Sequence, residues 1–380
     1  MNFNFNLPVN LMFGRGVSKE VGVQAAKYGK KALIVTGGSS TKKSGLLDRT
    51  IRYLNESGIP SVIFDKVTQN PLTTTVYEGA EIARLHSCDV IIGLGGGSSL
   101  DVAKAIAFQV INGGDISEYI FGLKQSDKAL PILLIPTTCG TGSEGNGFAV
   151  LTNPETGDKK SLRCNTIIAK CSLIDPDLMM TLPKGILASV GFDALCHNME
   201  AYLSKISTPL SKALALEGIR LVSESLIPLY QDSHKDKGNY NLWEKITLAS
   251  TIGGMVIHAA GVTAPHGMEH PISGLRDIIH GNGLAALTPV IIEESMDFAP
   301  YEYREISRIL GGMDEYDLIN NINRMIHNLE LETSLSQMGV KEEDITWMAH
   351  NCIKVSTPSM KNHPKEFSLE DIKRIYRKAL

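Results

Sequence analysis

The sequence predicts an α/β layer with a mainly parallel sheet over residues 1–182, followed by an all-helical domain over residues 183–380. Three observations predict it. Short apolar runs punctuated by Gly or Pro alternate with helical stretches in the first half. Those runs are short and apolar, as strands buried on both faces are. After "DPDLMMTLP" the chain becomes rich in Ala, Leu, Glu, Lys and Met at helical spacing, with no convincing strand, which sets the boundary near Pro183.

In chain order, "KALIVT" (31–36), "SVIFD" (61–65), "DVIIGL" (89–94) and "PILLIP" (131–136) read as strands. Helices are expected near 42–57, 74–86 and 99–111 between them. Further β-type runs are "FAVLT" (148–152) and "TIIAKCSLID" (166–175). Beyond the boundary, "SKALALEGIRLVSESLIPLY" (211–230) illustrates the helical pattern. There is no internal repeat and no low-complexity tract.

Bulk properties narrow the function classes. The chain has 380 residues, 43% of them hydrophobic, which suits a soluble globular protein with a substantial core. The 37 basic and 41 acidic residues give a net charge of −4, which offers no support for nucleic-acid binding. "MNFNFNLPVNLMFGRG" lacks the basic and apolar regions of a signal peptide, and no run of about 18 apolar residues suggests a membrane span. Six scattered cysteines without a C-x-x-C pair suit reduced thiols, so a cytoplasmic protein is expected.

Three polar loops follow three of the strands. "GLGGGSSLDVAKAIAF" runs from strand to helix through Gly95, Gly96 and Gly97, with Ser98 and Ser99 placed to cap the helix. A helix N-terminus there suits a phosphate or pyrophosphate, although the spacing is neither G-x-G-x-x-G nor a Walker loop, and a plain tight turn has the same look. In "VTGGSSTKKSG" (35–45), Gly37, Gly38, Ser39 and Ser40 offer donors and no carboxylate, with Lys42 and Lys43 alongside. An acidic residue after such a strand grips a ribose 2′-hydroxyl, and its absence admits a 2′-phosphate, so NADP(H) is favoured over NAD(H) unless the lysines simply face solvent. "PTTCGTGSEGNGFAV" (136–150) supplies Thr137, Thr138, Thr141 and Ser143. Open α/β sheets bind ligands beyond their strand ends, and the three loops together fit that rule.

The second chemical signal lies in the helical half. "VGFDALCHNMEAY" places Asp193 and His197 four residues apart, about 40° apart around a helix. One ion can take both, as can a local Asp–His hydrogen bond; Glu200 is a weaker candidate on the same general face. "TAPHGMEHPISGLRDIIHG" brings His266, His270 and His280 within fifteen residues. Pro271 and Gly274 are expected to interrupt the helix, so that His280 returns from a separate segment. One Asp with two or three His and no thiolate suits catalytic Fe²⁺ or Zn²⁺. Spacing alone does not choose between His266 and His270.

Taken together, "GGGSSLDVAKAIA", "PTTCGTGSE", "DPDLMMTLP", "GFDALCHNMEAY" and "HGMEHPISG…IIHG" resemble the iron-containing (group III) alcohol dehydrogenase family over almost the whole chain. The resemblance implies the family fold, shared with dehydroquinate synthase: an N-terminal dinucleotide-binding domain and a C-terminal metal-binding and catalytic domain with the active site in the cleft between. It implies Asp193, His197, His266 and His280 as metal ligands and His270 as a histidine near substrate and nicotinamide. It implies Gly96, Gly97 and Ser98 at the pyrophosphate, and Thr137, Thr138 and Ser143 along the cofactor cleft. Thr141, Asn70 and Asp101 belong to the same expected cofactor set, together with a lysine of "GDKK", Lys159 in preference to Lys160.

The "GGSS" at 37–40 resembles the NADPH-dependent butanol dehydrogenase and aldehyde reductase branch, whereas many members carry an acidic residue where Gly37 stands. Cys139 and the "LRDII" before His280 depart from common family wording and bear on pocket shape. The implied activity is metal-dependent hydride transfer between NADP(H) and a small primary alcohol or aldehyde, by a homodimer. A dehydroquinate-synthase-type lyase or cyclase is the alternative; it needs a basic cluster for a phosphorylated substrate, and none stands around 263–281. A non-catalytic metal- or nucleotide-binding protein would not need ligand, cofactor and relay residues together.

Overall fold

In the computed structural model, residues 2–7, 9–232 and 239–380 are described. The chain divides into two compact units. One comprises Leu7–Thr138 and Ser143–Thr181; the other comprises Leu182–Leu380, the N-terminal residues up to Asn6, and Cys139–Gly142.

Among the described residues the first unit is built on eight strands: β1 (Leu11–Phe13), β2 (Ala32–Gly37), β3 (Ser61–Val67), β4 (Val90–Gly95), β5 (Ile132–Pro136), β6 (Phe148–Thr152), β7 (Lys159–Arg163) and β8 (Cys171–Ile174). Six form a sheet in the order β1-β8-β5-β4-β2-β3, with every pair parallel. The central strands are apolar throughout because both faces are covered: Leu33, Val35 and Ile91 enter one core cluster, while Ala32, Ile34 and Ile92 enter another.

β6 and β7 form a separate antiparallel hairpin. β7 is the polar stretch KKSLR, and no apolar run announces it. The expected strand across 166–175 is shorter than its apolar run, because Asn165–Ile167 forms a 3₁₀ turn and only Cys171–Ile174 pairs.

Among the described residues the second unit contains helices and no strand. Its long helices are Lys184–Leu203, Pro209–Gln231, Tyr240–Ala260, Ala264–Arg276, His280–Ser295 and Ile345–Asn362. No single described helix is long and apolar enough to cross a membrane.

The helix break before His280 differs from expectation. Helix Ala264–Arg276 runs straight through Pro271 and Gly274. Proline there removes one backbone donor, and the carbonyl it would have used, that of Gly267, accepts instead from the Cys352 thiol at 3.3 Å. The helix ends where Asp277 turns left-handed, at φ 48°, and its N–H closes on the Ser273 carbonyl.

The short Cys139–Gly142 segment packs among the helices of the second unit. Gly142 has φ +57°, and a Cβ on Gly254 would lie 1.8 Å from its carbonyl oxygen, so both positions require glycine.

Candidate active site

In the sheet unit, the three polar loops leave β2, β4 and β5, which are adjacent parallel strands. Thr36 pairs with Leu94 and Gly95 with Pro136, so the loops emerge side by side at one edge. Gly95 has φ +148°, and a Cβ there would meet Ser99 Oγ at 2.7 Å. The helix that follows, Gly97–Asn112, starts from Gly96 with no side-chain cap. Ser98 and Ser99 were expected to cap it; instead both sit inside the first turn, because the β4 turn itself supplies the capping residue. Backbone N–H groups therefore face outward at a helix N-terminus, a fitting cradle for a phosphate.

Two pairs of expected cofactor residues meet. Asp101 accepts from Ser143 Oγ at 2.6 Å and from the Val150 N–H at 2.9 Å. Burial pushes this carboxyl up, against the pull of Lys104. Asn70, itself at φ 42°, accepts from Lys159 Nζ at 2.9 Å. Lys160 lies over the Phe121 ring instead. Thr137 and Thr138 are half-buried beside the β4 turn, where Thr138 would press on a Cβ at Gly96. Thr141 belongs with the helical unit.

Gly37, Gly38, Ser39 and Ser40 lie at and beyond the end of β2, half-buried or exposed. Lys42 does not simply face solvent: it pairs with Asp65 of β3, a carboxylate that no sequence motif pointed to. The contact holds Asp65 below the usual carboxylate range.

In the helical unit, helix Lys184–Leu203 carries Asp193, His197 and Glu200, helix Ala264–Arg276 carries His266, Glu269 and His270, and His280 opens the next helix. Asp193, His266 and His280 each offer one ligand atom, all within 4.8 Å of one another. His266 Nε2 is 3.2 Å and His280 Nε2 3.8 Å from Asp193 Oδ1. His197 stands beside this group: its ring stacks on His266 with centroids 4.4 Å apart, and its Nδ1 lies 3.6 Å from Asp193 Oδ1 and 3.3 Å from the Gly140 carbonyl. The His270 ring is 6.4 Å from that of His266 and 6.1 Å from that of His280, at the border of the cluster and half-buried.

Glu200, read from spacing as a weak ligand candidate, stands on the other side of His266, where its Oε1 is 2.5 Å from Nδ1. Glu269, which spacing did not single out, stands in the same relation to His280. Beyond Glu200 lies a small cavity lined by Cys196, Thr263, Tyr303 and His363 among others.

The electrostatics favour a cation. Burial opposes the charge of Asp193, yet His197, His280 and His266 hold its carboxyl well below the usual range. Burial likewise opposes charge on His266, but Glu200 and Asp193 push it up to about 10. His197, where burial dominates, is pushed down to about 4. Three carboxylates, Asp193, Glu200 and Glu269, are buried here, and such a set is costly unless positive charge is held among them. Convergent imidazole nitrogens and one carboxylate oxygen, without a thiolate, form a donor set that fits Fe²⁺ or Zn²⁺.

Comparison with known proteins gives the lineage. Residues 8–176 match the family model described as iron-containing alcohol dehydrogenase, and residues 187–380 match that of the Fe-containing alcohol dehydrogenase family, C-terminal. The chain is 33% identical to 1,3-propanediol dehydrogenase of Klebsiella pneumoniae, over 99% of this chain and 98% of that one. It is 31% identical to the NAD-dependent methanol dehydrogenase of Bacillus methanolicus, over 99% and 100%. Among solved structures, an archaeal halo-thermophilic alcohol dehydrogenase from a Red Sea brine pool superposes with a TM-score of 0.95 at 33% identity, covering 100% of this chain and 99% of that one. The chain belongs to the iron-containing alcohol dehydrogenase family and is an oxidoreductase of that family.

Proposed function

We propose that the protein transfers a hydride between NADP(H) and a small primary alcohol or aldehyde, with a divalent metal, Fe²⁺ or Zn²⁺, held by Asp193, His197, His266 and His280. The observation that carries this reading is the convergence of Asp193, His266 and His280 within 4.8 Å in a buried, carboxylate-rich setting. When bound, such a cation supplies Lewis acidity that stabilises the negative charge developing on the alcohol oxygen. The nicotinamide, when bound, supplies or accepts the hydride. His270, beside the cluster and less buried than His266, relays the alcohol proton to solvent.

The β4 turn with Gly96, Gly97 and Ser98 receives the pyrophosphate at the N-terminus of the following helix. Asp101 and Ser143 brace one another beside it, and Lys159, steadied by Asn70, approaches the ribose of the nicotinamide. Thr137, Thr138 and Thr141 complete the cofactor contacts. The preference for NADP(H) is supported by Gly37, which brings no carboxylate to the end of β2, while Lys42 stands close by in its ion pair with Asp65. Residues 1–182 serve the nucleotide and residues 183–380 the metal and substrate. The family resemblance further supports a homodimer acting in the cytoplasm. The relatives compared above are dehydrogenases, which does not favour the lyase alternative.

The test follows the absorbance of NADPH, and of NADH in parallel, with butanal under anaerobic conditions, after Fe²⁺ restoration and with a chelator control. Chelator-sensitive oxidation, faster with NADPH, is expected. Oxidation faster with NADH overturns the cofactor preference alone, and oxidation indifferent to chelator overturns the metal role.

A further inference from the structure

Two imidazoles in the cluster come from different helices yet have the same surroundings. His266 and His280 each turn Nε2 toward Asp193 Oδ1, and each has a glutamate against Nδ1. Glu200 Oε1 accepts from His266 Nδ1 at 2.5 Å. Glu269 Oε2 stands 2.5 Å from His280 Nδ1, out of line with the ring N–H. Both glutamates are deeply buried, 2% and 0% exposed.

Each glutamate is itself fixed. The other oxygen of Glu200 accepts from the Thr263 N–H at 2.6 Å and from Thr263 Oγ1 at 3.3 Å. Glu269 Oε1 accepts from Ser273 Oγ, one turn along its own helix. A buried glutamate opposite an imidazole can arise as an isolated ion pair. Two, each on the ring edge away from a shared carboxylate oxygen, describe an outer shell.

We propose that Glu200 and Glu269 are positioning residues that keep the proton of His266 and His280 on Nδ1 and leave both Nε2 atoms as donors to a divalent cation beside Asp193. The inference rests on the metal reading of the same site and extends it to residues outside the ligand set. A carboxylate behind a ligating imidazole fixes its tautomer and orientation and makes it a better donor. The two glutamates are unequal. Glu200 makes the aligned hydrogen bond and is anchored by a backbone N–H, whereas Glu269 is off-line and its histidine is 26% exposed. Glu200 is the stronger of the two.

The experiment uses the full chain, stripped of metal and titrated with Co²⁺, whose visible absorption reports its ligand field. Wild type, Glu200→Gln and Glu269→Gln are compared, with the melting temperature of each metal-free protein measured alongside. The amide keeps the shape but has one acceptor oxygen in place of two, so Gln at 200 cannot serve both the Thr263 N–H and the His266 Nδ1–H. Co²⁺ affinity should fall about 10–100-fold in Glu200→Gln and by less in Glu269→Gln. The Co²⁺ spectrum should shift, and the loss of affinity should exceed what any drop in metal-free melting temperature accounts for.

Affinities within twofold of wild type in both variants overturn the inference. So does a loss of affinity that follows a matching drop in metal-free melting temperature, since that is a folding role. If wild type itself takes up no Co²⁺, the metal reading falls, and this inference with it. Glu200→Asp, which keeps the charge but shortens the reach, should retain more affinity than Glu200→Gln, and affinity no better than that of Glu200→Gln overturns the role given to the carboxylate.

Discussion

At the β4 turn the chain offers glycines, backbone N–H groups and small hydroxyls between Gly95 and Ser99, with no charged side chain among them. In the helical unit, three carboxylates and four imidazoles crowd together, most of them less than 7% exposed. The first is shaped by what is missing, since a Cβ at Gly95 would press on Ser99 and one at Gly96 on Thr138. The second is shaped by charge that only a partner of opposite sign makes tolerable. On the reading proposed above, the two regions fail in opposite ways, the β4 turn by steric substitution and the histidine cluster by change of charge or donor.

The largest expected effect comes from removing a donor. His266→Ala deletes one convergent nitrogen and leaves Glu200 buried without its partner. Bound metal should vanish from elemental analysis, and turnover should fall on the order of 10³-fold, equivalent to several kcal/mol of lost Lewis-acid stabilisation. Full metal content in this variant would remove His266 from the ligand set.

His270→Ala sharpens the contrast within the cluster. Turnover should drop roughly 10²-fold through loss of proton relay, with metal content unchanged. Loss of metal here would exchange the roles given to His266 and His270.

Gly95→Ala attacks the other surface. It forces a side chain into φ +148° and against Ser99 Oγ. If the strain of about 1–3 kcal/mol falls on the bound state, the dissociation constant for NADPH should rise about 5- to 150-fold, while Co²⁺ uptake stays as in wild type. If both change together, the two sites do not fail independently.

A pH test reaches the buried histidine behind the cluster. His363 is 1% exposed and, among the described residues, neither ring nitrogen has a hydrogen-bond partner. Burial pushes its pKa down from 6.5 to about 3. The folded state thus keeps this ring neutral where the unfolded chain protonates it. Its contribution to stability is intact above pH 6.5 and is lost as pH falls toward 3, at up to about 1.4 kcal/mol per pH unit. His363→Leu should flatten the acid limb of a melting-temperature profile between pH 6.5 and 4, leaving the component from His197, which is shifted in the same direction. A profile parallel to wild type would show that the His363 ring is protonated in the fold.

The smallest effect concerns cofactor choice. A Cβ at Gly37 meets the Val67 carbonyl only at 3.4 Å, so Gly37→Asp should fold. Repulsion of a 2′-phosphate by an exposed carboxylate, about 1 kcal/mol, should lower the NADPH-to-NADH ratio of kcat/KM about fivefold. An unchanged ratio would separate Gly37 from the ribose.

Much of this was legible before any coordinates. Strands buried on both faces announce themselves as apolar runs, and β2, β4 and β5 lie within a residue of where the sequence puts them. β7 was hidden because it is short, polar and paired only with β6. The Asp193–His197 spacing and the His266 segment mark the cluster because both elements are local. What lies across the cluster is not local: Glu269 faces His280 only because the chain turns at Asp277, and Asp65 reaches Lys42 only because β2 and β3 are neighbours. Pro271 misled because the cost of a proline depends on what becomes of the carbonyl it strands, and Cys352, far along the chain, supplies the missing donor.

The excursion at Cys139–Gly142 has a consequence for how such proteins can be inherited in pieces. Four residues threaded between two stretches of the sheet unit belong structurally to the helices, where Gly142 meets Gly254 and the Gly140 carbonyl faces His197. A chimera joined by a single crossover near residue 182 would take these four residues from one parent and the helices they fit from the other. Recombination between relatives should therefore succeed only where the sequences of 139–142 and of the facing helices match, which ties the two halves to a shared ancestry despite their different architectures.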